Sequence, residues 1–455
     1  MHPALDLIRD RTRGTSFDGN LFLVGGAVRD SLLGVSPKTD FDLVTTGDAL
    51  KLAEDLAELS IHLPVVYARF GTARLTIAGA EIELVTARKE SYDSESRKPN
   101  VEPATLLEDA QRRDFTINTL LQGLHSGEIL DPLGTGRSDL ELRILRTPLD
   151  PDITFHDDPL RMLRAVRFRW RLGFEFAPGL AAKTTANASR LAIVSYERIR
   201  DEVLKMLDHL SAPDAIGELM DLGILDQIAP ELRPMVDLEQ GKFHHLDVWR
   251  HSLLVLRNIG PGDRLLQLAG LLHDIGKPPT RRIDEDGNTR FFSHESVGAE
   301  MASALLERWK FSGSEVEVVT QLVRNHMRLG SSPQFSPSAA RRLIRDLNDN
   351  LERLLVLVEA DAGALKNGVR VIDLAAIRGQ IAKVQELTPR ETLRSPLSGE
   401  EIMELTWLSA GVEVGRLKSA LMELVIEGEL DPNDKTSAIH HLRTLHKQRK
   451  KAIKP

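Results

Sequence analysis

The chain has 455 residues, 42% of them hydrophobic, with 67 acidic against 59 basic side chains, a formal net charge of −8 and no cysteine. That length suits about three domains with sizeable cores, and the missing cysteine excludes disulfides and thiolate metal sites, leaving His, Asp and Glu as metal ligands in a chain suited to a reducing cytoplasm. The N-terminal MHPALDLIRDRTRG has no apolar leader core and no apolar run approaches about 18 residues, so neither secretion nor a membrane span is expected.

Mixed α/β patterning runs to about residue 145. Apolar LFLV (21–24) reads as a strand, followed by Gly25-Gly26 and a helix over 27–33. Residues 41–45, 65–77 and 81–87 read as strands, the last two as a hairpin about Gly79-Ala80; 48–60 and 105–122 read as helices. Between them, RKESYDSESRKPNVEP (88–103) is polar and carries two prolines, so a long mobile loop is expected. Beyond 145 the pattern is almost entirely helical, with joints at 230–243 and 388–399. Net negative charge disfavours nucleic acid unless basic residues cluster, and they do: Arg112-Arg113, then Arg161, Arg164, Arg167, Arg169 and Arg171, then the terminal HKQRKKAIK.

The sequence DFDLV places Asp40 and Asp42 on one face of a strand, with Phe41 and Leu43 on the other. Adjacent carboxylates repel, which makes sense where a divalent cation neutralises them. Magnesium takes one or two carboxylates and completes its shell with water and phosphate oxygens. Two such ions about 3.5–4 Å apart activate an attacking hydroxyl and stabilise a leaving pyrophosphate. Gly25-Gly26 lets backbone approach a phosphate, and the following helix offers free N–H groups to an anion. Nucleotidyl transfer is the chemistry these features describe. Glu83, between Ile82 and Leu84, is either a third carboxylate for the same metals or a solvent-facing strand residue. Arg88, at the end of that strand, suits a triphosphate.

The segments LVGGAVRDSLLG, DFDLVTTG, RRDFTIN (112–118), DPLRMLRAVRF (159–169) and SYERIRDEVLKML (195–207) resemble the class II tRNA nucleotidyltransferase and bacterial poly(A) polymerase family, in the family's order. The resemblance implies an α+β nucleotidyltransferase head, a mixed five-stranded sheet with helices, over 1–145. A helical neck over 146–230 and all-α body and tail follow it. It implies template-independent addition of CCA to tRNA 3′ ends from CTP and ATP. In that reading Asp40 and Asp42 hold Mg2+, Gly25, Gly26 and Arg29 bind triphosphate, and Arg113, Asp114 and Asn118 contact the nucleotide's sugar and phosphates.

Base choice is expected at Asp158 and Arg161, three apart in a helical segment and so on one face. A carboxylate accepts hydrogen bonds and a guanidinium donates them. Cytosine and adenine each present an amine beside a bare ring nitrogen and satisfy both; uracil and guanine present the reverse, at about 1–3 kcal/mol per unpaired group. The family's Glu-Asp-x-x-Arg departs here only in its first acid, Asp157. Arg164 and Arg167 share a stripe on this helix, facing triphosphate or RNA backbone or forming a solvated basic face. Ser195 reads as an N-cap and Arg198 as a structural neck residue.

His251, the pair His273-Asp274, His294, His326 and Asp361 recur across the next helical region, and imidazole with carboxylate suits a transition-metal or dinuclear site. This region resembles the HD phosphohydrolase domain, expected over 231–388. The resemblance implies a divalent transition metal on His251, His273, Asp274 and Asp361, with His294 and His326 as the additional ligands of two-metal variants, and hydrolysis of phosphomonoesters or 2′,3′-cyclic phosphates. Residues 389–455 resemble the family's tRNA-gripping tail. Three readings stand: a CCA-adding enzyme with an HD domain, favoured by the full-length 88–103 loop; an A-adding or CC-adding enzyme or a poly(A) polymerase; and an HD phosphohydrolase whose head merely binds RNA.

Overall fold

In the computed structural model, the described residues are 2–35, 39–91, 100–241, 245–329, 335–366, 373–387 and 393–452, and the chain divides into two compact units, Met1–Arg233 and Pro234–Pro455. The first opens with α1 (Pro3–Thr12), β1 (Leu21–Val24), α2 (Gly26–Leu32), β2 (Asp40–Thr45) and α3 (Ala49–Asp55). Then come β3 (Val65–Tyr67), β4 (Thr72–Ile77), β5 (Ala80–Thr86), β6 (Arg88–Ser91), β7 (Asn100–Pro103), α4 (Leu106–Gln111), β8 (Leu121–Gly123) and β9 (Ile129–Leu130). Seven strands form one mixed sheet, β3-β4-β5-β2-β1-β8-β9, so the expected five are widened by a short strand at each edge. β2 runs antiparallel to β1 and parallel to β5, which sets Asp42 opposite Val24 on one side and Glu83 on the other. Phe41, Leu43, Ile82 and Leu84 point into the core beneath α3, which Asp48 caps by accepting from Leu50 and Lys51 N–H.

Three local expectations are corrected. The strand over 65–77 breaks at a 3₁₀ turn, Ala68–Phe70, closed by Gly71 at φ +56°, giving two antiparallel strands. The helix over 105–122 stops at Gln111 because the Asp114 carboxylate accepts from its neighbour Phe115 N–H and from the Asn118 amide, bonds that compete with helix continuation. Beyond it a 3₁₀ turn, Thr116–Asn118, leads to β8, which pairs with β1. The segment 88–103 is not loop throughout: Arg88–Ser91 pairs with Asn100–Pro103, and its centre, 92–99, lies outside the described residues.

The remainder is almost entirely helical, as expected, with two short strand pairs, Ile144–Leu145 with Glu175–Phe176 and Arg281–Ile283 with Thr289–Phe291. In the first unit α5 (Gly136–Leu142), α6 (Pro151–Asp157), α7 (Arg161–Leu172), α8 (Leu180–Asn187), α9 (Tyr196–Leu207), α10 (Ala212–Asp221) and α11 (Leu225–Ile228) follow the sheet. Leu163, Ala165 and Val166 of α7 are fully buried, and Gly173 at φ +67° ends the helix. The second unit holds α12 (Val248–Ile259), α13 (Arg264–Leu272), α14 (Lys277–Thr280), α15 (His294–Arg308), α16 (Gly313–Asn325), α17 (Pro337–Leu347), α18 (Leu351–Gly363) and α19 (Leu374–Leu387). Its last helices are α20 (Gly399–Thr406), α21 (Val412–Glu427) and α22 (Lys435–Ala452). The joint at 388–392 and the side chains of Arg449, Lys450 and Lys451 lie outside the described residues. No helix among the described residues is long and apolar enough to cross a membrane.

Candidate active sites

Asp40 and Asp42 lie on β2 with the intervening Phe41 buried, so both carboxylates leave the same face. Gly25, at φ +74°, lies beside Asp42, and a Cβ there would make ordinary contact with Oδ2 at 3.5 Å. The turn needs glycine for its backbone conformation. Although the Asp42 side chain opens to solvent, its carboxyl is crowded. Burial first, then Glu83 and Asp40, push it up to about 6, with Arg113 opposing. Glu83 itself is held by Arg74 at 3.1 Å, and it does not close with Asp40 and Asp42 into a tight three-ligand set.

The residues expected to bind nucleotide divide into groups. Arg113 is partly exposed and reaches toward Asp42; with Arg112 it is anchored by Asp109, a buried acid whose ionisation burial opposes but the two arginines secure. Asp109 was missed in the sequence, though its spacing of three and four before two arginines on a helix was the available signal. Arg29, expected at a triphosphate, is instead buried: it donates to Asp30 Oδ1 at 2.8 Å and to Asn118 Oδ1 at 2.7 Å. Asn118 in turn donates to Asp114 Oδ1 at 2.9 Å, and Arg164 grips Asp114 Oδ2. Burial works against the Asp114 charge, but Arg164 and the Asn118 amide hold it well below the usual carboxylate range. Arg167 is no solvated face either, since it is buried against Glu202 at 2.6 Å. The guanidiniums of Arg29, Arg164 and Arg167 all lie 4.3–5.4 Å from the Phe168 ring centroid. Glu202→Ala leaves buried Arg167 uncompensated; urea unfolding should show a loss of roughly 3–5 kcal/mol.

Arg88 stands apart. Its guanidinium donates to Phe70 O and Thr72 Oγ1, and it lines a cavity of about 470 Å³ with Thr46, Asp48, Arg69 and Phe70. Thr46 is four residues beyond Asp42 along extended chain, about 13 Å at 3.3 Å per residue. Asp158 and Arg161 do not share one helix as expected: Asp158 sits extended, at φ −141°, in the break between α6 and α7. Its carboxylate is paired with Arg198 of α9, while buried Arg161 donates to Arg112 O and Thr154 O. Ser195 occupies the N-cap position of α9 without a capping side-chain bond.

In the second unit five elements converge on Asp274. His251 comes from α12, His273-Asp274 from the end of α13, His294 opens α15, His326 follows α16 and Asp361 ends α18. All six are at least nine-tenths buried. Asp274 Oδ2 lies 3.1 Å from His273 Nε2 and 3.8 Å from His251 Nε2; Oδ1 lies 3.4 Å from His294 Nε2 and 3.9 Å from His326 Nε2. Asp361 Oδ1 is 3.1 Å from His251 Nε2. Two three-ligand sets result, His251-His273-Asp274 and Asp274-His294-His326, each with ligand atoms within 4.8 Å, sharing the aspartate.

The second nitrogens suit this role. Nδ1 of His273, His294 and His326 each stands 2.7–2.8 Å from a backbone carbonyl, of Gly270, Phe291 and Val323. Donation there leaves Nε2 as the free electron pair, the form a metal needs. His273 Nε2 is buried and faces Asp274 Oδ2 at 3.1 Å. Burial, then His273, push His326 down to about 3. Burial opposes the Asp274 charge, yet His273 and Lys277 hold it far below its ordinary range. The donor chemistry therefore fits a pair of divalent ions. Gly276 makes the closure geometrically feasible, since a Cβ there would fall 2.2 Å from His294 O. Lys277, 2.7 Å from Asp274 Oδ2 and bonded to Gln240, was missed, although its place three residues after the aspartate was visible.

Residues 21–146 match the poly A polymerase head domain, 173–235 the probable RNA and SrmB-binding site of polymerase A, and 243–375 the HD domain. The A-adding tRNA nucleotidyltransferase of Deinococcus radiodurans is 34% identical over 447 residues, covering 93% of this chain and 95% of that protein. The CC-adding tRNA nucleotidyltransferase of Thermus thermophilus is 34% identical, covering 92% of each. The multifunctional CCA protein of Xanthomonas campestris pv. campestris is 32% identical, covering 75% and 84%. Among solved structures, the Bacillus stearothermophilus CCA-adding enzyme with CTP aligns at a TM-score of 0.70 and 23% identity, over 99% of this chain and 100% of that one. The fold is that of a nucleotidyltransferase head followed by a helical body. The chain belongs to the class II tRNA nucleotidyltransferase and poly(A) polymerase family, and it is a tRNA nucleotidyltransferase that carries an HD domain.

Proposed function

We propose that the first unit adds CCA to tRNA 3′ ends from CTP and ATP, and that the second is a metal-dependent phosphohydrolase. The observation that carries the first half is the shared face of Asp40 and Asp42 against Gly25. Magnesium held there supplies charge stabilisation for the attacking 3′ hydroxyl and the departing pyrophosphate. Asp40 and Asp42 hold the metal, with Glu83 supporting the field around Asp42. Arg113 supplies positive charge beside Asp42 to orient phosphate. Arg29, Asn118, Asp114 and Arg164 form the bonded chain that holds the 112–118 turn in place. Arg88 braces the turn before β4.

Asp158 and Arg161 read the base. Arg161 spends two of its five N–H donors on backbone carbonyls, so three remain for a ring nitrogen or carbonyl. Asp158 accepts from the exocyclic amine of cytosine or adenine, and uracil and guanine leave both groups unpaired. Neck, HD body and tail over 146–230, 231–388 and 389–455 are the working segments of this reading, the tail adding salt-dependent contacts to tRNA.

In the second unit two divalent ions on the histidine sets would polarise a phosphate ester and activate water. Asp274 and Asp361 provide the anionic ligands, and Lys277 neutralises the excess charge on Asp274.

A second reading, A-only addition, is favoured by the 34% identity to an A-adding enzyme over nearly its whole length. CC-only addition has equal support from the Thermus relative. Transcripts ending at the discriminator base, at C and at CC, each given CTP or ATP with Mg2+, separate them. CTP should add two residues to the first, and ATP one residue to the last. Addition of A alone, or of C alone, selects one of the half-reactions; long A tails select a poly(A) polymerase, and no incorporation overturns the proposal.

A further inference from the structure

We infer that Arg198 is a specificity-determining positioning residue that fixes the plane in which Asp158 meets the incoming base. The inference rests on the reading of Asp158 and Arg161 as the base selector. Asp158 lies in an extended break between two helices, where the one local bond to its carboxylate, from Leu160 N–H to Oδ1 at 3.3 Å, leaves the plane of the carboxylate free to turn. From α9, Arg198 sends Nη1 to Asp158 Oδ1 at 3.2 Å and Nη2 to Oδ2 at 2.7 Å. Two parallel bonds from one planar fork hold the carboxylate's orientation as well as its position, which a lysine's point charge cannot do.

The fork leaves acceptor capacity. A carboxylate offers about four lone-pair sites, and Arg198 with Leu160 N–H uses three of them. One remains on Oδ2 for an exocyclic amine. Arg161 is pinned separately by Thr154 O and Arg112 O. Acceptor and donor are thus each fixed by the protein, which is what discrimination between an amine and a carbonyl edge requires in the absence of a template. The pair is partly open to solvent, with side-chain exposures of 44% for Arg198 and 21% for Asp158. Such pairs contribute little to stability, so the consequence falls on selection.

The test is kcat/KM for CTP and for UTP on a discriminator-ending transcript, using the full chain with Arg198→Met, Arg198→Lys, Asp158→Ala, and Asp158→Ala with Arg198→Met. Arg198→Met should lower the CTP-to-UTP ratio at least about tenfold, chiefly through the KM for CTP, with an unchanged melting temperature. Arg198→Lys should recover only part of the ratio. In the Asp158→Ala background, Arg198→Met should change the ratio no further, because it acts through that carboxylate. An unchanged ratio in Arg198→Met, or an equal loss with Asp158 already removed, would overturn the inference alone. A wild-type ratio in Asp158→Ala would overturn the selector reading and the inference with it.

Discussion

Asp42→Asn should lower nucleotide addition by at least about a thousandfold while leaving the chain folded, the scale expected when a group stabilising transition-state charge is removed. The substitution keeps the side chain's shape, so Gly25 still has its neighbour, and Asp40 remains on the same face. A less obvious result accompanies it. Burial, Glu83 and Asp40 push the folded carboxyl up to about 6, against an ordinary value of 3.8. The folded chain therefore binds that proton more tightly than the unfolded chain does. The associated stability is fully present below about pH 4 and lost as pH rises through 6. In metal-free buffer Asp42→Asn should consequently melt above the wild type at about pH 7.5, and the two should converge below about pH 4. Addition of Mg2+ should raise the wild type's melting temperature and leave the variant's unmoved. Normal addition by the variant, or a stability difference that does not depend on pH, contradicts the metal-site assignment.

Asp274→Asn should abolish phosphohydrolase activity and leave CCA addition intact. Asp274 is the one residue common to both histidine sets, so its loss disables both at once. The amide still offers one carbonyl oxygen and keeps the packing, whereas Asp274→Ala also strands Lys277, which is buried and 2.7 Å from the carboxylate. Breaking a buried pair in that way costs roughly 3–5 kcal/mol. Asp274→Asn should therefore melt nearer the wild type than Asp274→Ala, and metal analysis should show both variants depleted of bound divalent ion. Hydrolysis of a 2′,3′-cyclic nucleotide monophosphate measures the activity directly. Loss of addition together with hydrolysis, in a folded variant, contradicts the division into two chemistries.

Much of this site was readable because its logic is local. The two-residue period of a strand is enough to put Asp40 and Asp42 on one face, and a His-Asp pair followed by glycine is uncommon enough to single out Asp274, the residue on which the buried histidines converge. The bonded chain behind the head was not readable. Arg198 meets Asp158 across 40 positions, Arg164 meets Asp114 across 50 and Arg167 meets Glu202 across 35, so no spacing rule joins them. The arginines of α7 looked like a basic face because their partners are contributed by distant segments. The helix expected over 105–122 failed for the opposite reason: Asp114 satisfies its neighbours' backbone and side-chain donors locally, and that overrides apolar periodicity. Asp158 and Arg161 were expected on one helical face, but a helix break lies between them and their partners differ.

The most direct measurement is the sequence of the 3′ end produced from a tRNA transcript ending at the discriminator base, incubated with Mg2+ and all four nucleoside triphosphates at equal concentration. Termination at CCA, with no U or G and no further extension, is the expected result. Ends that gain only A, stop at CC, incorporate U or G, or grow into long tails would contradict CCA addition by a selector built from Asp158 and Arg161.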